Sequence, residues 1–442
     1  MSAPMYLPED ALFCIKTLEN AGFEAYAVGG CVRDSLLGLT PHDYDLCTSA
    51  LPEDTARLFA DHTLVRSGEK HGTIGVVFGK EVLEITTFRT EGGYQDNRHP
   101  DWVRFVPNLR EDLARRDFTV NAMAYNPNRG YIDPFGGQDD LQNGILRAVG
   151  DPRQRFTEDS LRILRGVRFG VRFGLRPEPD TLAAMEELAD LMDNLARERV
   201  FDELCKLLPL VSAADLTAYA RVLTQVVPIL TPCVGFDQQN PHHIYDIFTH
   251  TARVVEGSPA DLAVRWAALL HDCGKPACFT RDQQGIGHFY GHAEVSAQLA
   301  DALLLELKAP TALRERVVFL IAHHMMPPEP DKKLLRKRLG KYGPDAFVDL
   351  LALQKADAMG TGTCEDSDRF ALIARLTEEI LQEQACLTLR DLAINGGDLK
   401  RIGFVPGKEM GQCLQWLLEQ VQDEILPNDQ QELLAAARKF PR

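Results

Sequence analysis

Strand-like alternation of apolar and polar residues is confined to roughly the first third of this 442-residue chain and stops at Asp151-Pro152. Residues 24–28, 43–46, 75–78 and 82–88 read as strands, because side chains alternate faces along a half-buried strand. Gly29-Gly30 reads as a tight turn and residues 31–37 as a helix closed by Gly38. Beyond Pro152 the period lengthens to that of helices, as in residues 182–192 and 260–270. The expected fold class is therefore α+β: an N-terminal α/β unit with a mixed sheet, followed by helices to the end. A chain of this length exceeds what one core supports. The change at 151 and the Pro- and Gly-bearing breaks at 228–241 and 360–364 suggest four parts, 1–150, 151–235, 236–365 and 366–442, with a further candidate joint at 327–330 inside the third.

A formal charge of −16 excludes a protein that coats nucleic acid indiscriminately, since phosphate binding needs positive potential. Any RNA contact must be local. Two basic stretches qualify, Arg162, Arg165, Arg168 and Arg172 at helical spacing, and Lys332, Lys333, Arg336, Lys337, Arg338 and Lys341 with few acids among them. Either set also fits a solvated helix face. The 10 cysteines never form Cys-x-x-Cys, so reduced thiols are expected. No leader pattern and no membrane-length apolar run is visible, and a cytoplasmic protein is the expectation.

Chemistry concentrates upstream. In Asp43-Tyr44-Asp45, carboxylates two apart on a strand share a face and suit a pair of magnesium ions. Just before them, Gly29-Gly30 opens a helix whose amides suit phosphate, with Arg33 one turn in as a charged donor.

Together Gly29-Gly30-Cys31-Val32-Arg33-Asp34 and Asp43-Tyr44-Asp45 resemble the opening motif of bacterial-type tRNA nucleotidyltransferases and their relatives, the bacterial poly(A) polymerases. Arg115-Arg116-Asp117-Phe118-Thr119-Val120-Asn121-Ala122 resembles the family's ribose-recognition motif, and Glu158-Asp159-Ser160-Leu161-Arg162 its base-reading motif. The motifs stand in the family's order. The resemblance implies a nucleotidyltransferase head (1–150), a helical neck (151–235), a body (236–365) and a tail (366–442) that contacts tRNA at the acceptor stem and elbow. It implies CCA addition from CTP and ATP, with Asp43 and Asp45 holding magnesium, Gly29, Gly30, Arg33 and Arg116 the triphosphate, and Asp117 and Asn121 the ribose. Asp159 and Arg162 would read the base and Arg165 would join the nucleotide site. A carboxylate and a guanidinium three apart on a helix face one side and match the amine and ring nitrogen of cytosine or adenine. An intrahelical ion pair is the other reading of that spacing. Residues 89–100, polar and glycine-rich, are expected to form a mobile loop, which in the family accompanies terminal A addition. An A-adding enzyme and a poly(A) polymerase are the rivals within this chemistry.

Eight of the 12 histidines fall between His242 and His324. His250, His271-Asp272 and Asp357 resemble the ligand set of HD-type phosphohydrolases, with His292, His323 and His324 as candidates for a second ion. Imidazole with carboxylate suits a divalent transition metal, and the implied activity is trimming of 2′,3′-cyclic or 3′-phosphate ends. His243 is expected to be structural. A phosphohydrolase with a vestigial head is the reading from another class. In the tail, Ile394-Asn395-Gly396-Gly397-Asp398-Leu399 and Pro406-Gly407-Lys408 resemble the family's C-terminal segment.

Overall fold

The computed structural model describes residues 4–92, 102–241, 243–362, 367–383 and 385–440. It divides into two compact units, one made of 1–210 with 219–228 and the other of 211–218 with 229–442.

A seven-stranded mixed sheet organises the first unit, in the order Leu64–Val65, Thr73–Phe78, Glu81–Thr87, Asp45–Thr48, Ala25–Val28, Ala124–Asn126, Gly130–Ile132. One pairing is parallel, Asp45–Thr48 with Glu81–Thr87, which sets Leu46 opposite Ile85. Ala25–Val28 is buried along its whole length, as a central strand covered on both faces must be. One face packs on Ile15, Leu18, Val32 and Phe59, the other on Phe88, Leu109, Leu113 and Val149.

Three local expectations shift. The strand expected at 43–46 begins at Asp45, leaving Asp43 in the irregular segment before it. Residues Arg89–Gly92 pair as a strand with Trp102–Phe105 instead of forming loop, because the register from Arg89 opposite Phe105 to Gly92 opposite Trp102 gives their backbone groups partners; 93–101 lie outside the described residues. Asp159 and Arg162, expected on one helix, are divided: Asp159 is extended between Pro152–Glu158 and Leu161–Phe173, and only the second helix carries Arg162 and the rest of the arginine stripe. The latter helix buries Ile163, Leu164 and Val167. Gly166 lets it approach Phe118, whose Cζ lies 2.9 Å from where a Cβ would stand. Gly174, at φ 63°, ends it.

Helices form the second unit, apart from one short antiparallel pair, Thr280–Arg281 with Gly287–His288, that the expectation of helices alone did not include. Asp246 caps Ile247–Gly257 through the amides of Phe248 and Thr249, and Asp261 caps Leu262–Leu270 through Ala263 and Val264. Fully buried Trp266 anchors the second of these helices. Among the described residues no helix is long and apolar enough to cross a membrane, and no disulfide joins the described cysteines.

Candidate active site

The central strand ends at Gly29, whose φ of 79° is a conformation that strongly favours glycine. A Cβ there would also lie 2.9 Å from Arg116 Nη1 and push that guanidinium aside, but it is the backbone of the turn that calls for glycine. The helix Gly30–Leu36 follows. Its Arg33 is almost fully buried. The guanidinium donates to Asn121 Oδ1 and Asp34 Oδ1 and stacks over Phe173, 4.2 Å from the ring centre.

Asp45 opens the neighbouring strand. It lines a cavity of about 610 Å³ together with Asp43, His42, Glu81 and Glu84, and a second cavity of about 400 Å³ together with Gly29, Gly30, Arg33, Arg116, Asp117, Asn121, Asp159, Arg162 and Arg165. Asp45 thus stands where an acidic recess meets a basic one. Asp43 reaches the same recess from the irregular segment before the strand and not by strand alternation. Enclosure by the surrounding chain raises the Asp45 carboxyl's pKa, Arg116 draws it down, and Glu84 and Asp43 push it further up. Glu84 went unremarked in the sequence; its signal is the parallel register, which sets it beside Asp45 once Leu46 is opposite Ile85.

The Arg115-Arg116-Asp117 segment is held by Asp112, which is fully buried and lies 3.0 Å from Arg115 Nη2 and 3.3 Å from Arg116 Nη2. This anchor has a sequence signal, the three- and four-residue spacings at the end of helix Leu109–Ala114. Asp117 is buried. It accepts from Arg165 at 2.7 and 3.0 Å and from Asn121 Nδ2 at 3.0 Å. Burial opposes its ionisation, but the charge of Arg165 and the Asn121 and Arg165 hydrogen bonds outweigh it and bring the carboxyl down to about 2. Asn121, between Arg33 and Asp117, orients both.

Asp159 and Arg162 face the same cavity but form no ion pair with one another among the described contacts. Arg162 donates to Glu158 at 3.0 Å and to the carbonyls of Arg115 and Arg155. Asp159 Oδ2 accepts from Arg199 at 3.1 Å. Arg199 was not anticipated, and no local signal points to a partner 40 residues away. The rest of the arginine stripe divides. Arg168 is buried against Glu203, so it faces the core and not an RNA backbone. Arg172 is exposed.

In the second unit, the Nε2 atoms of His250 and His271 lie 3.3 Å apart and meet two carboxylates. Asp272 Oδ2 is 3.4 and 3.2 Å from them, Asp357 Oδ1 3.0 and 3.5 Å. The other oxygen of Asp272 faces His292 Nε2 at 3.3 Å and His324 Nε2 at 4.0 Å, and those two imidazoles are 3.2 Å apart. Two donor groups therefore share Asp272. Burial disfavours a charged His271, yet Asp272 and Asp357 push it up to about 10, the mark of a site that attracts cations. His323 is not part of this set. Its Nδ1 pairs with the Phe319 carbonyl at 2.9 Å and its ring packs on Phe319 and Tyr342, because one step along a helix turns the side chain by about 100°. His243 is half-buried beside His250, and burial with the charge of Lys275 takes it down to about 4.

The second basic run is more opposed by acid than its sequence suggests. Lys332 pairs with Glu383 at 2.8 Å, Arg336 with Glu424 at 2.6 Å and Lys337 with Asp423 at 2.8 Å. Arg336 is buried, while Lys333 is exposed.

Comparison with known proteins gives this geometry a family. Residues 25–147 match the poly A polymerase head domain, 174–215 a probable RNA- and SrmB-binding site of polymerase A, and 279–437 a putative second domain of tRNA nucleotidyltransferases. The CCA-adding enzyme of Limosilactobacillus fermentum is 35% identical over 434 residues, 97% of this chain and 96% of that protein. That of Streptococcus sanguinis is 35% identical over 97% of this chain and 96% of its own length. Among solved structures, the Bacillus stearothermophilus CCA-adding enzyme in complex with CTP superposes with a TM-score of 0.73 at 27% identity, covering 99% of this chain and 98% of that one. The Thermotoga maritima CCA-adding enzyme complexed with tRNA shares the fold, at a TM-score of 0.64 and 20% identity over 98% and 96% of the two chains. This chain belongs to the CCA-adding enzyme family of tRNA nucleotidyltransferases.

Proposed function

We propose that this chain completes the 3′ end of tRNA by adding C, C and A from CTP and ATP, without a nucleic-acid template. The observation that carries the reading is the single cavity that joins Asp45, the glycine turn, Arg116, Asp117, Asp159 and Arg162 in a chain of this family. Residues 1–150 would serve as head, 151–235 as neck, 236–365 as body and 366–442 as tail. Asp43 and Asp45, carboxylates crowded with Glu84 in one recess, fit magnesium, a hard cation that takes oxygen donors. Bound there, the ions would favour ionisation of the tRNA 3′-hydroxyl and offset the charge of the departing pyrophosphate.

The chain's own groups do the selecting. Arg116 lines the cavity and would meet the triphosphate. Asp117 and Asn121, already locked by Arg165 and Arg33, would meet the ribose hydroxyls without reorganising. The Asp159 carboxylate would accept from the exocyclic amine of cytosine or adenine while Arg162 donates to the ring nitrogen. Uracil and guanine present the reverse polarity, leaving buried groups unmatched at about 1–3 kcal/mol each. The test supplies tRNA ending before CCA, after C or after CC with labelled CTP or ATP separately, and reads products at single-nucleotide resolution. Stepwise C, C, A addition supports the reading; incorporation of A alone, or of long A tracts, overturns it.

A second activity is favoured by the histidine-aspartate cluster. His250, His271, Asp272 and Asp357 would hold one divalent transition metal, and Asp272, His292 and His324 a second. The fit rests on mixed nitrogen and oxygen donors converging in the interior. Such ions would supply an activated water for attack on a phosphate ester. Burial opposes the charge of Asp272, but His271 and then Lys275, 2.8 Å away, hold its carboxyl well below the usual range. The proposed reaction is trimming of 2′,3′-cyclic and 3′-phosphate ends to free hydroxyls. Hydrolysis of a 2′,3′-cyclic nucleotide that is lost in His271→Ala and Asp272→Ala supports it; hydrolysis that survives both changes refutes it.

A further inference from the structure

The cavity beside Asp272 opens onto an aromatic rim that this hydrolytic reading leaves unused. Tyr290 lines it and is 78% exposed. Its ring lies 5.3 Å from that of His288 and only 11° from parallel. His288 is fixed by Asp282, whose carboxylate is 3.0 Å from Nε2. Gly291, at φ 78°, then turns the chain so that His292, two residues after Tyr290, aims at Asp272. Five consecutive residues thus carry a flat, backed aromatic surface at one end and a metal-facing imidazole at the other.

The intervening cavity, about 630 Å³, lies within the ~300–1,000 Å³ typical of small-molecule sites. Its walls are of two kinds. Asp272, Asp357, His292, His324 and Lys275 bring charged and metal-ligating groups, and Phe289, Met325, Met326 and Phe370 contribute apolar surface. A nucleotide offers two matching kinds of surface, an anionic phosphate and a flat base. A sugar phosphate without a base does not.

We infer that Tyr290, backed by His288, is the platform on which the base of a nucleotide stacks when its phosphate lies at the histidine-aspartate cluster. The inference rests on the phosphohydrolase reading and adds that the site selects nucleotides over base-free phosphate esters.

The test uses the full chain as wild type, Tyr290→Ala and Tyr290→Trp. Three quantities are measured: KM and kcat for adenosine 2′,3′-cyclic phosphate and for glycerol 1,2-cyclic phosphate, and the Kd of adenosine 2′-phosphate by calorimetry. Base stacking on one aromatic is strong enough that its loss should raise KM and Kd for the adenosine compounds about tenfold. Values of kcat, and KM for the glycerol ester, should stay within about twofold, and Tyr290→Trp should restore binding. Equal loss for both esters, or no loss in Tyr290→Ala, overturns the platform. If wild type hydrolyses neither ester with any divalent metal, the hydrolytic reading falls by itself. The binding arm still decides the platform: adenosine 2′-phosphate held tenfold more weakly by Tyr290→Ala supports it, and equal affinity refutes it.

Discussion

Asp159 gives its carboxylate to Arg199, 3.1 Å away, and not to Arg162 three residues along the chain. The helix breaks between them, so the proposed base-reading pair is assembled across a turn, each member steered by a different partner. Arg199 holds the acceptor and Glu158 the donor.

From that relationship Arg199 is expected to be a positioning residue for selection. Arg199→Ala should leave tRNA affinity unchanged while lowering kcat/KM for CTP and ATP. Misincorporation of UTP should rise about tenfold, the scale of one mispaired buried hydrogen bond at ~1–3 kcal/mol. Arg199→Lys should recover part of the loss. Single-nucleotide incorporation assays with each triphosphate decide it, and unaltered discrimination in Arg199→Ala would remove Arg199 from the specificity machinery.

What was legible in the sequence was local. The glycine turn, the Asp43-Tyr44-Asp45 acids and the switch from strands to helices near residue 151 each follow from spacings of a few residues. Contacts that cross the chain were not legible. Nothing near Arg168 announces Glu203, nothing near Asp159 announces Arg199, and Glu84 matters only through sheet register. The adjacent pair His323-His324 shows the same boundary. Composition nominates both, but helix geometry turns one inward to His292 and the other toward Phe319 and Tyr342.

Asp117 should make the stability of the N-terminal unit depend on pH. Its carboxyl sits at about 2 when folded against an ordinary value of 3.8. The ionised form is therefore favoured by folding. That contribution is fully present above pH 4 and is lost as pH falls from about 4 to about 2, and the shift corresponds to about 2 kcal/mol. Asp117→Asn should lower the urea midpoint at pH 7, and the gap from wild type should narrow only below pH 4. A gap that already closes near pH 6 would assign the effect to another group.

The buried Arg168–Glu203 pair should serve folding and not RNA contact. Glu203→Ala strands a buried guanidinium and should cost about 3–5 kcal/mol, whereas replacing both residues by apolar ones of similar size should be far milder. In tRNA-binding titrations against salt, the double replacement should leave the slope unchanged. Exposed Arg172, changed to Ala, should reduce it by about one. An unchanged slope for Arg172→Ala would remove that arginine from the proposed RNA path.

Metal stoichiometry tests the shared role of Asp272 without reference to catalysis. Its two oxygens face different imidazole pairs, Oδ2 toward His250 and His271 and Oδ1 toward His292 and His324. Protein loaded with cobalt(II) and freed of excess metal should therefore lose both body ions on Asp272→Ala, but only one on His292→Ala or His250→Ala. His323→Ala should lose none, since that ring is engaged with Phe319 and Tyr342. Elemental analysis gives the count, and cobalt absorption reports whether the ion that stays keeps its ligand geometry. Retention of both ions in Asp272→Ala would mean that the two histidine pairs hold metal independently, and the bridging assignment would fall. CCA addition by His292→Ala should match wild type, because none of these ligands lines the cavity around Asp45.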